Sequence, residues 1–355
     1  MIFLKAYTRK NLGDDLLIRL VCNDNKDKQF CILADEDYKE IFKDIKNLEI
    51  MSEEFKTLEK LKENQEAYYV AHEQIYDALA KKCDVFLYVG GSIFIEWSHA
   101  SLVGLKKLKS EFIRFKHSYI IGANFGPHKT KDFFDYLHDE IIPNLTHISF
   151  RDLESYNLFK DLDNVKYAPD IVFTLDSPAA YKKKKELGIS LVHHLEREQL
   201  KLNYNTYLES VLKFAGKYIK NDYTIRLLSF CTYEKDDIVI TDFLEKMTEE
   251  EKSSVKIEHY NGNIDEFLDL FSSFDTVVAT RFHAIVLGMK YSCKLFPICY
   301  SNKAINMLSD LNITNLITFS NISDLNNVES VEIDRQKLKE LNKEANIHFD
   351  YKKLF

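Results

Sequence analysis

The sequence predicts an α/β protein built from two doubly wound, Rossmann-like domains that face a cleft. Three observations lead to this fold class. Strand-like runs alternate with helix-like runs along the whole chain, which is the pattern of parallel sheets covered by helices. The 355 residues exceed what a single hydrophobic core usually organises. A proline and a run of lysines interrupt the alternation near the middle of the chain, at residues 176–188.

The first half of the chain carries a series of short apolar runs that are candidates for strands. Longer amphipathic segments, such as DDLLIRLVC and KDFFDYLHDEII, lie between them and are candidates for helices. This alternation predicts one parallel sheet with helices on both faces. The candidate strands, in order, are IFLKAY, FCILAD, DVFLYVG, SYIIGAN, HISF and IVFTL.

The second half repeats the pattern. NYNTYLESVLKFAGKYIK and NIDEFLDLFSSF are its clearest helical segments, and its strand candidates are GISLVHH, TIRLLSF, VKIEHY, DTVVAT, KLFPICY and LITF. We therefore predict an N-terminal α/β domain over residues 1–180 and a C-terminal α/β domain over residues 181–330. Residues 331–355 are predicted to form an exposed helix and a short tail.

The boundary contains four consecutive lysines, at residues 182–185. Two interpretations are open for them. They form a solvated linker, or they touch an anionic membrane surface. A solvated linker is the favoured interpretation, because charge runs are usually solvated.

Composition excludes several classes of protein. A net charge of -8 argues against a general nucleic-acid binder. No run approaches the roughly 18 apolar residues of a membrane span, and the start of the chain does not read as a signal peptide. The six cysteines show no CxxC motif and no zinc-ligand spacing. We expect a cytoplasmic protein with reduced core thiols and no metal site.

The stretch VVATRFHAIVLG, residues 277–288, places an arginine and a histidine where a strand gives way to a helix. Ligands of open α/β sheets bind beyond the carboxyl ends of the strands. With Thr280 as the expected N-cap, Arg281 and His283 lie in the first turn, beside free backbone N–H groups. We expect Arg281 to hold a carboxylate or phosphate and His283 to transfer a proton. The alternative is a surface arginine beside a histidine at the edge of the core.

The scarcity of arginine supports the first interpretation. Lysine and arginine together number 48, but only eight of these residues are arginine. An arginine in this chain therefore indicates a position that requires the planar guanidinium and its several N–H donors. Codon bias is the alternative explanation for the low count.

Glycines and carboxylates follow other strands of the first half. Gly90 and Gly91 come directly after DVFLYV and would let a ligand approach the backbone, although a plain tight turn is equally consistent with them. Asn11 lies in the turn after the first strand. One of Asp14 and Asp15 is expected to cap the next helix, and the other carboxylate would face the cleft.

Three further polar residues follow the same positional rule. Arg151 ends the strand HISF, Asn124 ends SYIIGAN, and Lys303 enters a helix after KLFPICY. For Lys303 the alternative is ordinary solvent exposure, the usual place of a lysine. Together they predict a second cationic group and an amide at the carboxyl edges of the sheets.

These stretches together resemble the polysaccharide pyruvyltransferase family. NLGDD, VGGS, GANFGP, FRDLES, APDIVF, TRFHAIVLG and YSNK occur in the family's order and span residues 11–303. The Arg-x-His-Ala element with the downstream Tyr-x-x-Lys is the most specific part. One departure is Ser92, where the family usually carries a third glycine, so the local backbone there is expected to differ.

The resemblance implies a two-domain fold of the glycosyltransferase B type. It also implies transfer of the enolpyruvyl unit of phosphoenolpyruvate to a sugar, as a pyruvate ketal, in the biosynthesis of an exopolysaccharide or capsule. Arg281 and His283 would belong to the phosphoenolpyruvate site, with Arg151, Asp14 and Lys303 carried over beside them.

The chemistry of the residues then suggests a division of roles. His283 protonates the methylene carbon, Arg281 and Lys303 hold the anions, and Asp14 acts as a base or orients a sugar hydroxyl. Phosphoenolpyruvate is the donor substrate, and no cofactor or metal is expected. The acceptor is a sugar of a polysaccharide or of its lipid-linked precursor, with at most peripheral contact at the inner face of the cell membrane. Substrate binding is further assigned to Asn11, Gly90, Gly91, Asn124 and Arg151.

Two other functions fit the same fold class. A glycosyltransferase that uses a nucleotide sugar would place a diphosphate at the same helix N-terminus. It would also need an acidic residue to bind the ribose, and the sequence offers no convincing candidate for that residue. A non-catalytic protein that binds carbohydrate or an anion is the third possibility, since the 25 phenylalanines and 20 tyrosines include enough aromatic side chains for a sugar groove.

Overall fold

The computed structural model describes residues 1–176, 181–193, 198–314 and 316–354. The chain divides into two units, each built on its own sheet of parallel strands with helices between them. The predicted fold class of two Rossmann-like domains is therefore confirmed. Residues 177–180, which adjoin the predicted domain boundary, lie outside the described residues.

The division of the chain into two units differs from the domain boundaries that the sequence predicted. The chain passes from the first unit to the second between Ile171 and Val172, ahead of the boundary predicted after residue 180. Arg9–Gly13 group with the second unit. The residues from Glu344 onward group with the first unit, so the segment predicted at 331–355 is divided between the two units.

The first unit contains a seven-stranded parallel sheet in the order β3-β2-β1-β4-β5-β6-β7, which starts with the doubly wound order 3-2-1-4. Its helices are α1 (Leu12–Asp24), α2 (Tyr38–Ile41), α3 (Ser52–Leu61), α4 (Gln65–Lys82), α5 (Ala100–Phe112), α6 (Lys131–Tyr136) and α7 (Leu153–Phe159). Its strands are β1 (Ile2–Lys5), β2 (Phe30–Ile32), β3 (Leu48–Ile50), β4 (Val85–Val89), β5 (His117–Ala123), β6 (His147–Phe150) and β7 (Val165–Tyr167).

The second unit contains a six-stranded parallel sheet in the order β10-β9-β8-β11-β12-β13, which repeats the same winding. Its strands are β8 (Lys184–Ser190), β9 (Thr224–Ser229), β10 (Val255–His259), β11 (Phe274–Ala279), β12 (Lys294–Cys299) and β13 (Ile317–Thr318). Its helices are α8 (Glu198–Ile219), α9 (Asp236–Glu245), α10 (Glu249–Lys252), α11 (Ile264–Ser272), α12 (Phe282–Lys290), α13 (Asn302–Asp310) and α14 (Arg335–Ala345).

Two element predictions are wrong. The run IVFTL forms a 3-10 turn over Ile171–Thr174 rather than a strand, and its apolar side chains are nevertheless buried. A short apolar run does not by itself distinguish a strand from a buried turn. The lysine run is not a linker, because β8 begins at Lys184 and the Lys183 ammonium donates to the carbonyls of Ser272 and Tyr291 at 3.1 and 2.7 Å.

Aromatic side chains fill both cores. Phe3 packs against Tyr76 and Phe86 in the first unit, with ring centroids 5.6 and 5.9 Å apart. Tyr207 lies against Phe319 in the second unit, at 4.9 Å. All six cysteines are buried free thiols, as the composition led us to expect.

The C-terminal tail is part of the first core. Tyr351 is fully buried, its ring lies tilted against that of Tyr119 with the centroids 5.4 Å apart, and its hydroxyl accepts a hydrogen bond from Asn25 Nδ2 at 3.1 Å. His348 is also fully buried. Its Nε2 donates to the Pro169 carbonyl at 2.9 Å, so its Nδ1 accepts from the Ser149 hydroxyl at 2.7 Å. The imidazole is therefore neutral in the folded chain.

This arrangement predicts acid sensitivity in the first unit. Burial lowers the pKa of His348 to about 4. Between pH 6.5 and about 4 this histidine is protonated in the unfolded chain but not in the folded one. The free energy of unfolding therefore decreases as the pH drops toward 4, by about 3 kcal/mol. His348→Gln should flatten this decline in melting temperature. The decline will not vanish, because burial also lowers the pKa of His147 to about 4. An unchanged slope would contradict the assignment.

Candidate active site

Strand β11 leads into helix α12 through a backbone arrangement that the sequence did not predict. Thr280 does not cap the helix, because its hydroxyl pairs with the Tyr207 hydroxyl at 2.9 Å. Arg281 occupies the N-cap position with an extended backbone. Ser190 Oγ, at the end of β8, accepts from the backbone N–H groups of Thr280 and Arg281 at 3.1 and 3.2 Å. The turn is thus fixed by a neighbouring strand.

The Arg281 guanidinium is buried between two carboxylates. Its Nε lies 3.0 Å from Asp236 Oδ1, and its Nη2 contacts the same oxygen. Its Nη1 contacts Glu234 Oε2. Burial alone lowers the pKa of Arg281, but the charges of Asp236 and Glu234 outweigh it and hold that pKa well above its usual range. The guanidinium is therefore charged and pairs with two carboxylates. Asp236 is its inner, buried partner, and Glu234 is its outer, partly exposed partner.

The inner partner, Asp236, is fully buried at the start of α9. Its Oδ2 accepts from the backbone N–H groups of Phe230 and Cys231 at 2.9 and 3.0 Å. These bonds fix the carboxylate independently of the arginine. Asp236 thus anchors one edge of Arg281 and sets the direction of the other edge.

Asn11 lies at the outer edge. Its Nδ2 donates to Glu234 Oε1 at 3.0 Å, and its Oδ1 accepts from Gly13 N at 3.0 Å. Helix α1 begins at Leu12, so Asn11 makes the bond of a capping residue, and the prediction that Asp14 or Asp15 caps this helix is wrong. The Leu12 N–H donates to the Phe230 carbonyl at 3.1 Å, which ties this segment to the same turn.

His283 lies beside the segment that contains Asn11. A Cβ on Gly13 would stand 1.7 Å from His283 Nδ1, so the ring packs directly on the glycine. His283 is half-buried, and its ring meets that of Phe282 edge-on at 5.2 Å. The Lys303 ammonium lies 5.7 Å from the centre of the Phe282 ring. The second unit therefore gathers four of the residues that the sequence assigned to the site: Asn11, Arg281, His283 and Lys303.

The first unit holds a separate cluster around Arg151. Its Nη1 donates to Asp170 at 2.8 Å and its Nη2 to Asn124 Oδ1 at 3.0 Å, and all three side chains are buried. A Cβ on Gly91 would stand 2.0 Å from Arg151 Nη2. Position 91 therefore has to be glycine, because a side chain there would collide with the Arg151 guanidinium. Three predicted residues, Gly91, Asn124 and Arg151, meet here.

Two predicted residues are not part of these clusters. A Cβ on Gly90 would make only ordinary contacts, the nearest at 3.6 Å, so nothing in the structure requires glycine there. Asp14 is half-buried in α1, where its charge raises the pKa of Tyr88 only as a minor contribution after burial and Glu111. Its neighbour Asp15 is buried and accepts from the Tyr38 hydroxyl at 3.0 Å.

Sequence reasoning did not pair the arginines with the carboxylates that hold them. Asp170 stands in the motif APDIVF, and Asp236 follows the strand end TIRLLSF, so both were visible as acidic residues near strand ends. Nothing in their spacing linked them to Arg151 or Arg281. Glu234 gave no signal at all, because a glutamate in a polar turn is ordinarily solvated.

The structure gives two further negative findings. Within the described ranges, no group of three or more His, Cys, Asp and Glu side chains is placed to hold a metal ion. Among the helices of that same part of the chain, none is both long and apolar enough to traverse a bilayer.

Comparison with known proteins identifies one family and several structures of similar fold. The family model described as polysaccharide pyruvyl transferase matches residues 10–302. No curated protein sequence matches the chain significantly. Among solved structures, Anabaena Alr3699/HepE in complex with UDP and glucose has a TM-score of 0.53 and 13% identity, over 98% of this chain and 94% of that one.

Two other structures show the same relation. Methanocaldococcus jannaschii UDP-GlcNAc 2-epimerase, in complex with UDP-GlcNAc and UDP, has a TM-score of 0.54 and 13% identity over 92% of this chain and 91% of that one. The UDP-N-acetylglucosamine 2-epimerase of Rickettsia bellii has a TM-score of 0.54 and 11% identity over 98% and 95%. At such identities the likeness concerns the fold alone, which is of the glycosyltransferase B type.

Gly91 and Gly90 form a matched pair for testing the Arg151 cluster. Gly91→Ala should displace the guanidinium from Asp170 and Asn124 and lower the free energy of unfolding by about 1–3 kcal/mol. Gly90→Ala adds the same methyl group one residue earlier and should cost little, because its nearest neighbour is 3.6 Å away. Urea unfolding followed by circular dichroism measures both. Equal losses would show that Arg151 does not set the requirement.

Arg281→Lys tests whether the residue at this position must bind Asp236 and Glu234 at the same time. A lysine has no planar fork to span Asp236 and Glu234, so we expect a loss of roughly 3 kcal/mol in the second unit. Arg226→Lys is the control, because Arg226 also pairs with two glutamates, Glu186 and Glu258, but is more exposed. Its loss should be smaller. Urea unfolding midpoints compare them, and a similar loss for both variants would refute the anchoring role of Asp236.

Proposed function

This chain belongs to the polysaccharide pyruvyl transferase family and is thus a transferase that acts on polysaccharide, and from that premise we propose that phosphoenolpyruvate is its donor. The enolpyruvyl group passes to a sugar and ends as a pyruvate ketal. The acceptor is a sugar of a polysaccharide or of its lipid-linked precursor. Phosphoenolpyruvate enters as a substrate, and no cofactor takes part in the proposal.

One observation supports the donor most directly. Arg281, Asn11 and His283 are gathered at the N-terminus of α12, with Lys303 close to the same turn. Phosphoenolpyruvate presents a carboxylate and a phosphate next to a carbon that must be protonated. A planar cation, an amide donor and an imidazole in one place match these three demands.

The proposed reaction balances with these residues. His283 delivers a proton to the methylene carbon, which becomes the methyl group, and positive character develops at C2. A sugar hydroxyl adds to C2, the C2–O bond to phosphate breaks, and a second hydroxyl closes the ketal. One hydroxyl proton replaces the proton that His283 gave up, and the other leaves with phosphate. Arg281 and Lys303 hold the carboxylate and phosphate during these steps.

The acceptor is assigned to the first unit. Arg151 with Asn124 offers a buried cation and amide there, and Asp14 is the proposed base or hydroxyl-orienting group of that unit. If the sugar is lipid-linked, the protein works at the inner face of the cell membrane through peripheral contact.

A glycosyltransferase that uses a nucleotide sugar is the second candidate. The solved structures of similar fold include proteins in complex with UDP, glucose and UDP-GlcNAc. The same helix N-terminus would then hold a diphosphate. Ligand binding distinguishes the two candidates.

The test measures phosphate release from phosphoenolpyruvate in the presence of candidate acceptor oligosaccharides. His283→Ala should reduce the rate about 10²–10⁴-fold, the usual contribution of a placed acid–base group. His259→Ala is the control, because His259 is an exposed histidine paired with Asp237. Phosphoenolpyruvate should also raise the melting temperature. A shift produced by UDP-glucose alone, with no phosphate release, would favour the second candidate.

A further inference from the structure

Arg281 and Asn11, which the sequence analysis assigned to ligand binding, both bind the carboxylate of Glu234. Glu234 Oε2 lies against Arg281 Nη1, and Glu234 Oε1 accepts from Asn11 Nδ2 at 3.0 Å. Each carboxylate oxygen therefore meets a different donor of the site. We propose that Glu234 is a resident stand-in for the ligand's oxyanion, which leaves Arg281 and Asn11 when the ligand binds. The identity of that ligand rests on the proposed function, but the exchange does not.

Glu234 and Asp236 differ in a way that marks Glu234 as the exchangeable partner. The Asp236 side chain is fully inaccessible and holds two backbone N–H groups as well as Arg281. The Glu234 side chain is 30% exposed. Removing Asp236 would leave a buried cation and two backbone donors without their acceptor, whereas Glu234 can be replaced by any oxyanion in the same position.

The backbone around Glu234 allows the exchange at small cost. Glu234 ends a single 3-10 turn, Thr232–Glu234, between β9 and α9. The adjoining Tyr233 is 65% exposed, and Arg9 Cζ lies over its ring, 5.2 Å from the ring centroid. Rotation about the side-chain bonds of Glu234 is enough to vacate the position, since its side chain is already partly exposed to solvent. No movement of the sheet is needed.

Charge explains why such a stand-in is useful. Two carboxylates flank one guanidinium, so Arg281, Asp236 and Glu234 together carry a net negative charge that opposes the pull of Lys303 on an incoming anion. Departure of Glu234 removes that repulsion and leaves an arginine edge and an amide directed at one position. A neutral sugar cannot replace the carboxylate without leaving Arg281 partly unpaired. The stand-in therefore selects for ligands that bring their own carboxylate or phosphate.

The chain supplies a matched control. Arg226 is held in the same manner, with its Nε and Nη2 on Glu186 Oε1 at 3.2 and 2.6 Å and its Nη1 on Glu258. This group lies across β8, β9 and β10, and none of its members belongs to the candidate site. Glu258→Gln neutralises an arginine-bound glutamate without touching Asn11 or Arg281.

The experiment compares the wild-type chain with Glu234→Gln and Glu258→Gln by isothermal titration with phosphoenolpyruvate, pyruvate and inorganic phosphate. Pyruvate and phosphate separate the carboxylate from the phosphate as the exchanging group. Glu234→Gln should bind the exchanging ligand about five- to tenfold more tightly than wild type, because a neutral amide competes less well for Arg281. Glu258→Gln should bind as wild type does. Glu234→Ala has the same expectation and serves if Glu234→Gln does not fold.

The outcomes separate this inference from the proposed donor. Tighter binding of pyruvate or phosphate without any binding of phosphoenolpyruvate would uphold the stand-in and reject the donor. Equal or weaker binding of phosphoenolpyruvate by Glu234→Gln would reject the stand-in and keep the donor. A loss of turnover with unchanged KM would place Glu234 in the chemistry and also reject it. Absence of binding of every ligand by the wild-type chain and by both variants would reject both proposals.

Discussion

The pairing of Arg281 with Asp236 is the constraint on which the candidate site depends. A buried guanidinium needs a buried counter-charge, and Asp236 supplies one that two backbone N–H groups already hold in place. Because Asp236 takes the Nε edge, the Nη1 edge must point toward Asn11 and the segment before α1. The direction in which this cation can meet an anion is thus fixed by a fully buried carboxylate.

The first unit uses the same physical solution at its own strand ends. Arg151 follows β6 and is held by Asp170, with Asn124 as the amide partner. Asp170 belongs to the connection that leaves β7, and His348 binds the carbonyl of the preceding residue, Pro169. The C-terminal tail therefore supports the loop that positions this arginine. The sequence predicted only a short tail here, and this tail is part of the scaffold because His348 and Tyr351 are buried and hydrogen-bonded within that core.

Much of the fold was accessible from the sequence, because apolar runs bounded by turn residues specify strands that are buried on both faces. The edge strands β3 and β7 were missed, since each is three residues long with a charged residue, Glu49 or Lys166, at its centre and so shows no apolar run. At the site, position relative to strand ends identified Arg281, His283, Arg151 and Asn124. It could not identify Glu234 or Asp170, because pairing between residues far apart in sequence leaves no local signal.

Glycine shows most clearly where local reasoning stops. The sequence suggested that Gly90 and Gly91 let a ligand approach the backbone. In the structure, the space at Gly91 is taken by the Arg151 guanidinium, and the space at Gly13 is taken by the His283 imidazole. Both glycines are required by a side chain of the protein rather than by a turn or a ligand. Arg151 and His283 are thus each held partly by a neighbour that has no side chain, and a methyl group at Gly91 or Gly13 would displace the side chain that packs on it.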